Sequence, residues 1–423
     1  MKVGVAGLWH LGTVTAACCA SAGHAVVAFD DDGQVVNNLR QNKLPVDEPG
    51  LAELTRREVE AGRLRFTSDA ADLSESEVLW IAYDTPVNEE DVADVEYVNR
   101  RVATLLPHLR NGALVLISSQ LPVGSTSRLG QRWPELRFAY SPENLRLGKA
   151  IEVFTKPDRV VVGVRDAESR ERLTPLFAPF TNKIEWMSIE SAEMTKHALN
   201  AFLALSVTFI NEVATICEKT GADANEVERG LKTDIRIGSR AYLHAGSAFA
   251  GGTLARDLSF LIDVGEDRKI PTHLLQGARA SNAEHKLWDR RLLSELLGGV
   301  DGKSVAILGL TYKPGTNTLR RSSSVETSRW LIAQGAAVSA FDPAITELPE
   351  ELRAVRLSQS AEGALEGADA ALIATPWPEL KAIPPAAFEK KMRRPLVLDP
   401  ARHLEEVLKG EKGVEYFGIG ASR

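Results

Sequence analysis

Cysteine is scarce in this chain: Cys18, Cys19 and Cys217 are the only three in 423 residues. That is too few for a disulfide framework. Cys18 and Cys19 are also adjacent in a helical stretch, so they read as packed thiols of a reducing compartment. Positive charge is also short, with 50 Lys and Arg against 57 Asp and Glu and a net charge of −7. Nucleic acid and anionic membranes both require a basic face, so neither is expected as a partner, although a local basic pocket for a small phosphorylated ligand is compatible with this balance. No cationic start leads into an apolar core, and no apolar run reads as long enough to span a bilayer. A cytoplasmic location is the expectation. Low-complexity segments and short-period repeats are missing as well.

The rest is ordinary globular material, 44% hydrophobic and 25% charged, in a chain long enough for two or three domains. Lys2 to Ala6 reads as a strand, Leu11 to Ala22 as a helix ended by Gly23, and Ala25 to Phe29 as a second strand closing on Asp30. Further β-rich runs at Val78–Ala82, Ala113–Ile117 and Arg159–Val164 alternate with amphipathic segments. This predicts a parallel sheet covered on both faces. From Glu190 to Thr220 there is no Gly or Pro, the period is helical, and Gly221 follows as a left-handed terminator. Helical texture continues to about Leu297. Strands resume at Ser304–Leu308, Ala337–Phe341, Ala370–Ala374 and Leu396–Leu398. The expected fold class is α/β, with two Rossmann-like parallel-sheet domains (1–189 and 299–423) joined by a central all-helical domain (190–298).

Gly7-Leu8-Trp9-His10-Leu11-Gly12 lies between the first strand and the first helix. A tight turn there, a helix N-terminus for a pyrophosphate, and Asp30 for ribose hydroxyls together make the context of a dinucleotide site. Asp30 favours NAD over NADP, because a carboxylate repels a 2′-phosphate. Trp9 stands where a second glycine usually lets the backbone approach the phosphates. A Rossmann-like domain that keeps the turn without the dinucleotide is the competing reading.

Several longer strings carry more information. They are Glu48-Pro49-Gly50-Leu51, Thr85-Pro86, Leu121-Pro122-Val123-Gly124-Ser125, Ser141-Pro142-Glu143-Asn144-Leu145-Arg146 and Pro157-Asp158-Arg159. Further along come Glu193-Met194-Thr195-Lys196 to Asn200-Ala201-Phe202-Leu203, Asp234-Ile235-Arg236-Ile237-Gly238, Leu308 to Thr316, and Leu319-Arg320-Arg321-Ser322. In this order, over nearly the whole chain, they resemble the UDP-glucose/GDP-mannose dehydrogenase family. The resemblance implies an N-terminal domain for NAD, a C-terminal domain for the nucleotide of a UDP-sugar or other nucleotide sugar, and a reaction site between them. It also implies a homodimer built on the central helix. The chemistry implied is double oxidation of the sugar C6 alcohol through a cysteine thiohemiacetal and thioester.

By that resemblance Lys196 and Asn200, one turn apart on a helix, match the lysine and asparagine that stabilise an oxyanion. Glu143 and Asp257 match carboxylates that manage protons and the hydrolytic water. Gly7, Gly12, Asp30, Thr85, Gln120, Arg256 and Arg320 fall at cofactor positions. Leu145, Arg236, Phe249, Gly251 and Lys313 fall at substrate positions, Arg236 reaching the substrate of the neighbouring subunit. Each residue alone also has a bland reading: a solvated helix face, a capping glutamate, a helix-start aspartate.

The pattern breaks at Phe249-Ala250-Gly251-Gly252-Thr253-Leu254-Ala255-Arg256-Asp257, where relatives read Phe-Gly-Gly-Ser-Cys-Phe-Pro-Lys-Asp. Thr253 therefore occupies the place of the nucleophilic cysteine, and a hydroxyl is a far poorer nucleophile at neutral pH than a thiol. Gln120 and Leu147 replace a threonine and a glutamate near the reacting centre. Departures gather on the cofactor and chemistry side, and matches on the sugar-nucleotide side. The expectation is an NAD-dependent dehydrogenase of altered or incomplete chemistry. The alternatives are a non-catalytic sugar-nucleotide binder or regulatory partner and, last, a β-hydroxyacid or 6-phosphogluconate-type dehydrogenase, which leaves the third α/β segment unexplained.

Overall fold

The computed structural model describes residues 1–86, 88, 93–143, 145–250 and 253–421. The chain divides into two compact units, Met1–Leu199 and Asn200–Arg423. In the first unit the strands are β1 (Lys2–Ala6), β2 (Ala25–Phe29), β3 (Leu64–Thr67), β4 (Val78–Ile81), β5 (Leu114–Ile117), β6 (Arg137–Tyr140), β7 (Val160–Gly163) and β8 (Ile184–Met187). They form one sheet in the order β3-β2-β1-β4-β5-β6-β7-β8. It is parallel except where β7 runs antiparallel to β6. Ala6 lies opposite both Phe29 and Ile81, so three strands end at one level where the strand order reverses. In open α/β sheets the ligand crevice forms at that reversal. The sheet is buried on both faces by separate apolar clusters, one including Val5, Leu11 and Trp80, the other Ile81, Val102 and Val115. Double burial is why these strands read as nearly continuous apolar runs.

The second unit contains β9 (Ser304–Leu308), β10 (Ala337–Phe341), β11 (Arg356–Leu357), β12 (Ala370–Ile373), β13 (Leu396–Asp399) and β14 (Glu415–Gly418). Their order, β11-β10-β9-β12-β13-β14, is the dinucleotide-fold order. Helices Ala224–Thr233, Thr253–Asp267, His273–His285 and Trp288–Leu297 precede the sheet. The apolar faces of the first and last of these share one core with the sheet, in which Ala224, Trp288 and Leu293, with Ile210 of the preceding long helix, meet Val305, Ile307 and Leu398, whereas Leu258, Ile262 and Ala278 of the middle two pack with Ala201 and Ala204 in a separate cluster. Each large side chain so buried contributes about 1.5–3 kcal/mol.

Strands β3, β6, β8, β11 and β14 were not foreseen. Four of them lie at or next to a sheet edge, and all are short segments interrupted by Arg or Glu, which hides the apolar run. Helical texture also does not run unbroken to Leu297, since 234–250 contains no helix.

The long helix, Ile189–Thr220, starts where β7 closes on it. A Cβ on Gly163 would lie 2.7 Å from Ile189 Cα and 2.8 Å from Ala192 Cβ, so only glycine permits this approach. By length and composition alone the helix could cross a bilayer, which corrects the reading of the sequence as lacking such a segment. The isolated Glu212 and scattered Thr and Asn residues break the apolar run to the eye without lowering its average enough. Ala201, Ala204, Ile210, Ala214 and Cys217 on this helix are buried in protein, whereas Phe202, Phe209 and Ile216, seven residues apart, are exposed.

Candidate active site

At the first turn Gly7 adopts φ +93°, and a Cβ there would lie 2.6 Å from the Tyr83 ring and 2.7 Å from Tyr83 N. Gly12, in the helix His10–Ser21, faces the Gly7 carbonyl so closely that a Cβ would meet it. The turn is therefore a cradle that side chains would fill, with the unpaired N–H groups of a helix start at its rim. The cradle fits a pyrophosphate. Trp9 is the N-cap at φ −77°. Its indole is 51% exposed, so it does not form part of the packed turn. Asp30 is buried at the end of β2 and accepts from Leu8 N (2.7 Å) and Asp32 N (3.0 Å). Burial raises its pKa above the usual carboxylate value, and those two hydrogen bonds oppose the rise. His10 meets Glu48 at 2.9 Å, and Glu48 also accepts from Gly148 N and Ala150 N. Burial would raise the Glu48 carboxyl, but these bonds hold it below its ordinary value. The Glu48-Pro49-Gly50 string is thus a staple onto the segment after Leu145.

Thr85 is buried and donates to Gln120 O at 2.7 Å, which brings two of the expected cofactor residues together. Lys196 Nζ donates to Glu143 O at 2.5 Å, and the Glu143 carboxylate turns back to accept from Leu145 N. Lys196 is placed by neighbours that were not foreseen. Glu193 accepts from Gly124 N (2.5 Å) and Thr126 N (2.9 Å), and His197 Nε2 lies 2.9 Å from Leu121 O. Both are buried, one on each side of Lys196 in sequence, and both grip the same loop. Burial raises the Glu193 carboxyl above its usual range. The only sequence signal for these tethers is two polar residues on a helix face otherwise given to the core, which does not name their partners.

In the second unit Asn200 Nδ2 donates to Asp257 Oδ2, and both side chains are buried. The carboxylate fixes the amide, leaving its carbonyl oxygen orientation settled as well. Thr253 begins the helix Thr253–Asp267 and is exposed. Arg256 is partly buried on the next turn. Phe249 is partly buried, with its ring against the cluster of Ala201, Ala204 and Leu258. Gly251, expected to contact substrate, lies outside the described residues. Arg236 is exposed and paired to its own neighbour Asp234 through two bonds, 3.0 and 2.7 Å. Ile235 beside it is 96% exposed. This loop therefore presents a cation and an apolar side chain outward.

The second sheet repeats the first turn. Gly309 adopts φ +96° against Thr375, with a Cβ position 2.6 Å from Thr375 N. Asp342 takes the place that Asp30 has in the first unit. Its carboxylate, however, is engaged by Leu310 N, Thr311 N, Thr311 Oγ1 and Trp377 Nε1 at 2.7–3.1 Å. The acid that reads a dinucleotide ribose is thereby committed to the protein itself. Lys313 is partly buried and Arg320 exposed on the segment that follows.

A doubly wound sheet with a glycine cradle and a buried acid at its switch point, followed by a second Rossmann-like sheet of altered turn chemistry, defines a two-nucleotide-domain dehydrogenase architecture. The matches are specific. The UDP-glucose/GDP-mannose dehydrogenase family models match as NAD binding domain over residues 1–181, central domain over 190–284 and UDP binding domain over 306–406. The chain belongs to that family. It is 34% identical over 433 residues to the UDP-glucose 6-dehydrogenase YwqF of Bacillus subtilis, covering 99% of this chain and 98% of that protein. It is 35% identical over 445 residues to a UDP-glucose 6-dehydrogenase of Pseudomonas aeruginosa, covering 100% and 98%. Among solved structures, a UDP-glucose dehydrogenase from Pyrobaculum islandicum superposes with a TM-score of 0.86 at 30% identity, covering 99% and 98%. A UDP-D-ManNAc dehydrogenase from Pyrococcus horikoshii gives 0.87 at 26%, covering 99% of each.

Proposed function

We propose that this protein is an NAD-dependent UDP-sugar dehydrogenase that oxidises the sugar C6 alcohol without an enzyme-bound thioester. NAD, when bound, accepts the hydride. Gly7 and Gly12 leave room for the pyrophosphate, and Asp30 accepts from the ribose hydroxyls. As the C6 carbon gives up hydride, its oxygen passes its proton to water, and the developing alkoxide needs a cation or amide donor. Lys196 supplies the first, held by Glu143 and flanked by the Glu193 and His197 tethers. Asn200, fixed by Asp257, supplies the second. Glu143 and Asp257 also stand as the groups that orient water against an aldehyde. Thr85, Gln120, Arg256 and Arg320 serve the cofactor. Leu145, Phe249, Gly251, Lys313 and Arg236 serve the sugar nucleotide, Arg236 that of a second copy.

The observation that carries this reading is that Lys196, Asn200 and Asp257, the groups proposed for alcohol oxidation, are buried and held, whereas Thr253, proposed to stand in the nucleophile's place, is exposed. Oxidation then ends at the aldehyde or proceeds through its hydrate. The protein acts in the cytoplasm as a homodimer, with Phe202, Phe209 and Ile216 covered by the second copy, and with functional divisions at 1–189, 190–298 and 299–423. The test is the yield of NADH per UDP-glucose with an aldehyde trap present. One NADH per sugar marks the aldehyde and two mark the acid. No NADH from any UDP-, GDP- or TDP-sugar, with UDP-glucose still bound, overturns oxidation in favour of the non-catalytic binder, the reading that Trp9 and Thr253 support.

A further inference from the structure

Residues 241–250 form no helix or strand, yet part of this segment is fixed in place. Backbone N–H and C=O groups withdrawn from water need partners, and a segment outside regular structure must find them on side chains. Here two residues have both backbone groups taken. Phe249 N donates to Asn282 Oδ1 at 3.0 Å, and Asn282 Nδ2 donates to Phe249 O at 2.9 Å. Gly246 N donates to Asn211 Oδ1 at 3.0 Å, and His285 Nε2 donates to Gly246 O at 2.8 Å. The amide of Asn282 thus mimics a neighbouring strand, and its orientation follows from needing one donor and one acceptor. All three side chains are buried. They come from two elements, Asn211 from the long helix and Asn282 and His285 from consecutive turns of His273–His285.

Burying three polar side chains is unfavourable unless they are matched, and here Asn211 is matched only through its oxygen, its Nδ2 having no partner among the described residues, although a simple connection could run over the surface instead. The clamp ends four residues before Thr253, and the Phe249 ring packs on Ala201, Ala204 and Leu258, beside Asn200 and Asp257 in sequence. A loop so held presents its backbone to a ligand at fixed positions, as preorganised sites require. We infer that Asn282, supported by Asn211 and His285, is a positioning residue that fixes the 246–250 segment for the sugar nucleotide. This rests on the sugar-nucleotide reading of that segment given above. It assigns a role to three residues that touch no reacting group.

Asn282→Ala removes both bonds to Phe249, Asn282→Asp keeps the acceptor and loses the donor, and His285→Gln retains a donor toward Gly246. Behind metal ligands, loss of a supporting hydrogen bond typically costs about 10–100-fold, and an effect of similar order is expected where the supported group is a binding loop. Asn282→Ala is expected to raise KM for UDP-glucose at least about tenfold while KM for NAD stays within about twofold, a split that general loosening of the fold does not produce. Asn282→Asp falls between, and His285→Gln stays near the native value. If both KM values move together, or neither moves, the inference is overturned. If the native chain forms no NADH, the oxidation reading fails separately, and the UDP-glucose Kd by calorimetry replaces KM with the same expectations. Hydrogen exchange needs no ligand: the Phe249 amide should lose protection in Asn282→Ala while the helix Thr253–Asp267 keeps its own. Unchanged protection at Phe249 also overturns the inference, and this reading is available for any variant that folds.

Discussion

Gly12→Ala separates two opposing effects at the dinucleotide turn. Residue 12 lies within the helix His10–Ser21, where replacing Gly by Ala ordinarily stabilises by about 1 kcal/mol through backbone entropy and propensity. Here the new methyl would lie 2.8 Å from the Gly7 carbonyl carbon and closer still to its oxygen. Ordinary contact requires about 3.4 Å or more, so the turn or the helix must move by roughly an ångström, at an overpacking cost of about 1–3 kcal/mol. Gly7 has little room to yield, because the space where its own Cβ would stand is already filled by Tyr83. The net expectation is a loss of about 0–2 kcal/mol in urea unfolding. An ångström-scale displacement of the N–H groups that receive a pyrophosphate should lower NAD affinity by about 100-fold. A variant that is more stable than the native chain and binds NAD equally well would refute the cradle geometry.

Four further outcomes follow from named residues. The Arg402 side chain is 6% exposed and bonds Asp223 and Glu405 at 2.7–3.1 Å. Arg402→Leu should therefore remove about 3 kcal/mol of unfolding free energy, less whatever Lys409 restores, and a loss under about 0.5 kcal/mol contradicts the network. Asp30 has its pKa raised by burial, so its carboxylate forms only above the usual range. NAD affinity should fall as pH drops through that raised value, and an Asp30→Asn variant should show a flat profile. Burial lowers the pKa of His285, with the bond to Gly246 opposing. For a depressed value the stabilisation is complete above the ordinary 6.5 and is lost as pH falls through the folded-state value. The urea midpoint of His285→Gln should accordingly decline less than that of the native chain between neutral pH and mild acid. Thr253→Cys should raise NADH toward two per sugar and make turnover sensitive to thiol alkylation, and unchanged yield and rate would show that Thr253 is not the limiting feature.

The sequence made the architecture legible wherever burial was two-sided. Lys2–Ala6, Ala25–Phe29, Ser304–Leu308 and Ala337–Phe341 are strands at the expected bounds, because apolar runs between turn residues admit no other reading there. Edge strands such as Leu64–Thr67 and Glu415–Gly418 stayed hidden because solvent on one side lets Arg and Glu enter them. Gly7, Gly12 and Asp30 could be read because a turn enforces fixed spacing between glycines and the acid that follows. Glu193, His197 and Asn282 could not. Their partners, Gly124 and Thr126, Leu121, and Phe249, lie 33 to 76 residues away, and no local pattern encodes a tertiary hydrogen bond. The engagement of Asp342 by Trp377 was hidden for the same reason, since spacing alone makes Asp342 look like a second Asp30.

The most direct test of the account is a calorimetric titration of NAD into the protein, alone and with saturating UDP-glucose. Saturable NAD binding is expected, with Trp9 turned aside from the phosphates. Binding of UDP-glucose with no detectable binding of NAD would contradict it and leave a sugar-nucleotide binder on a dehydrogenase fold.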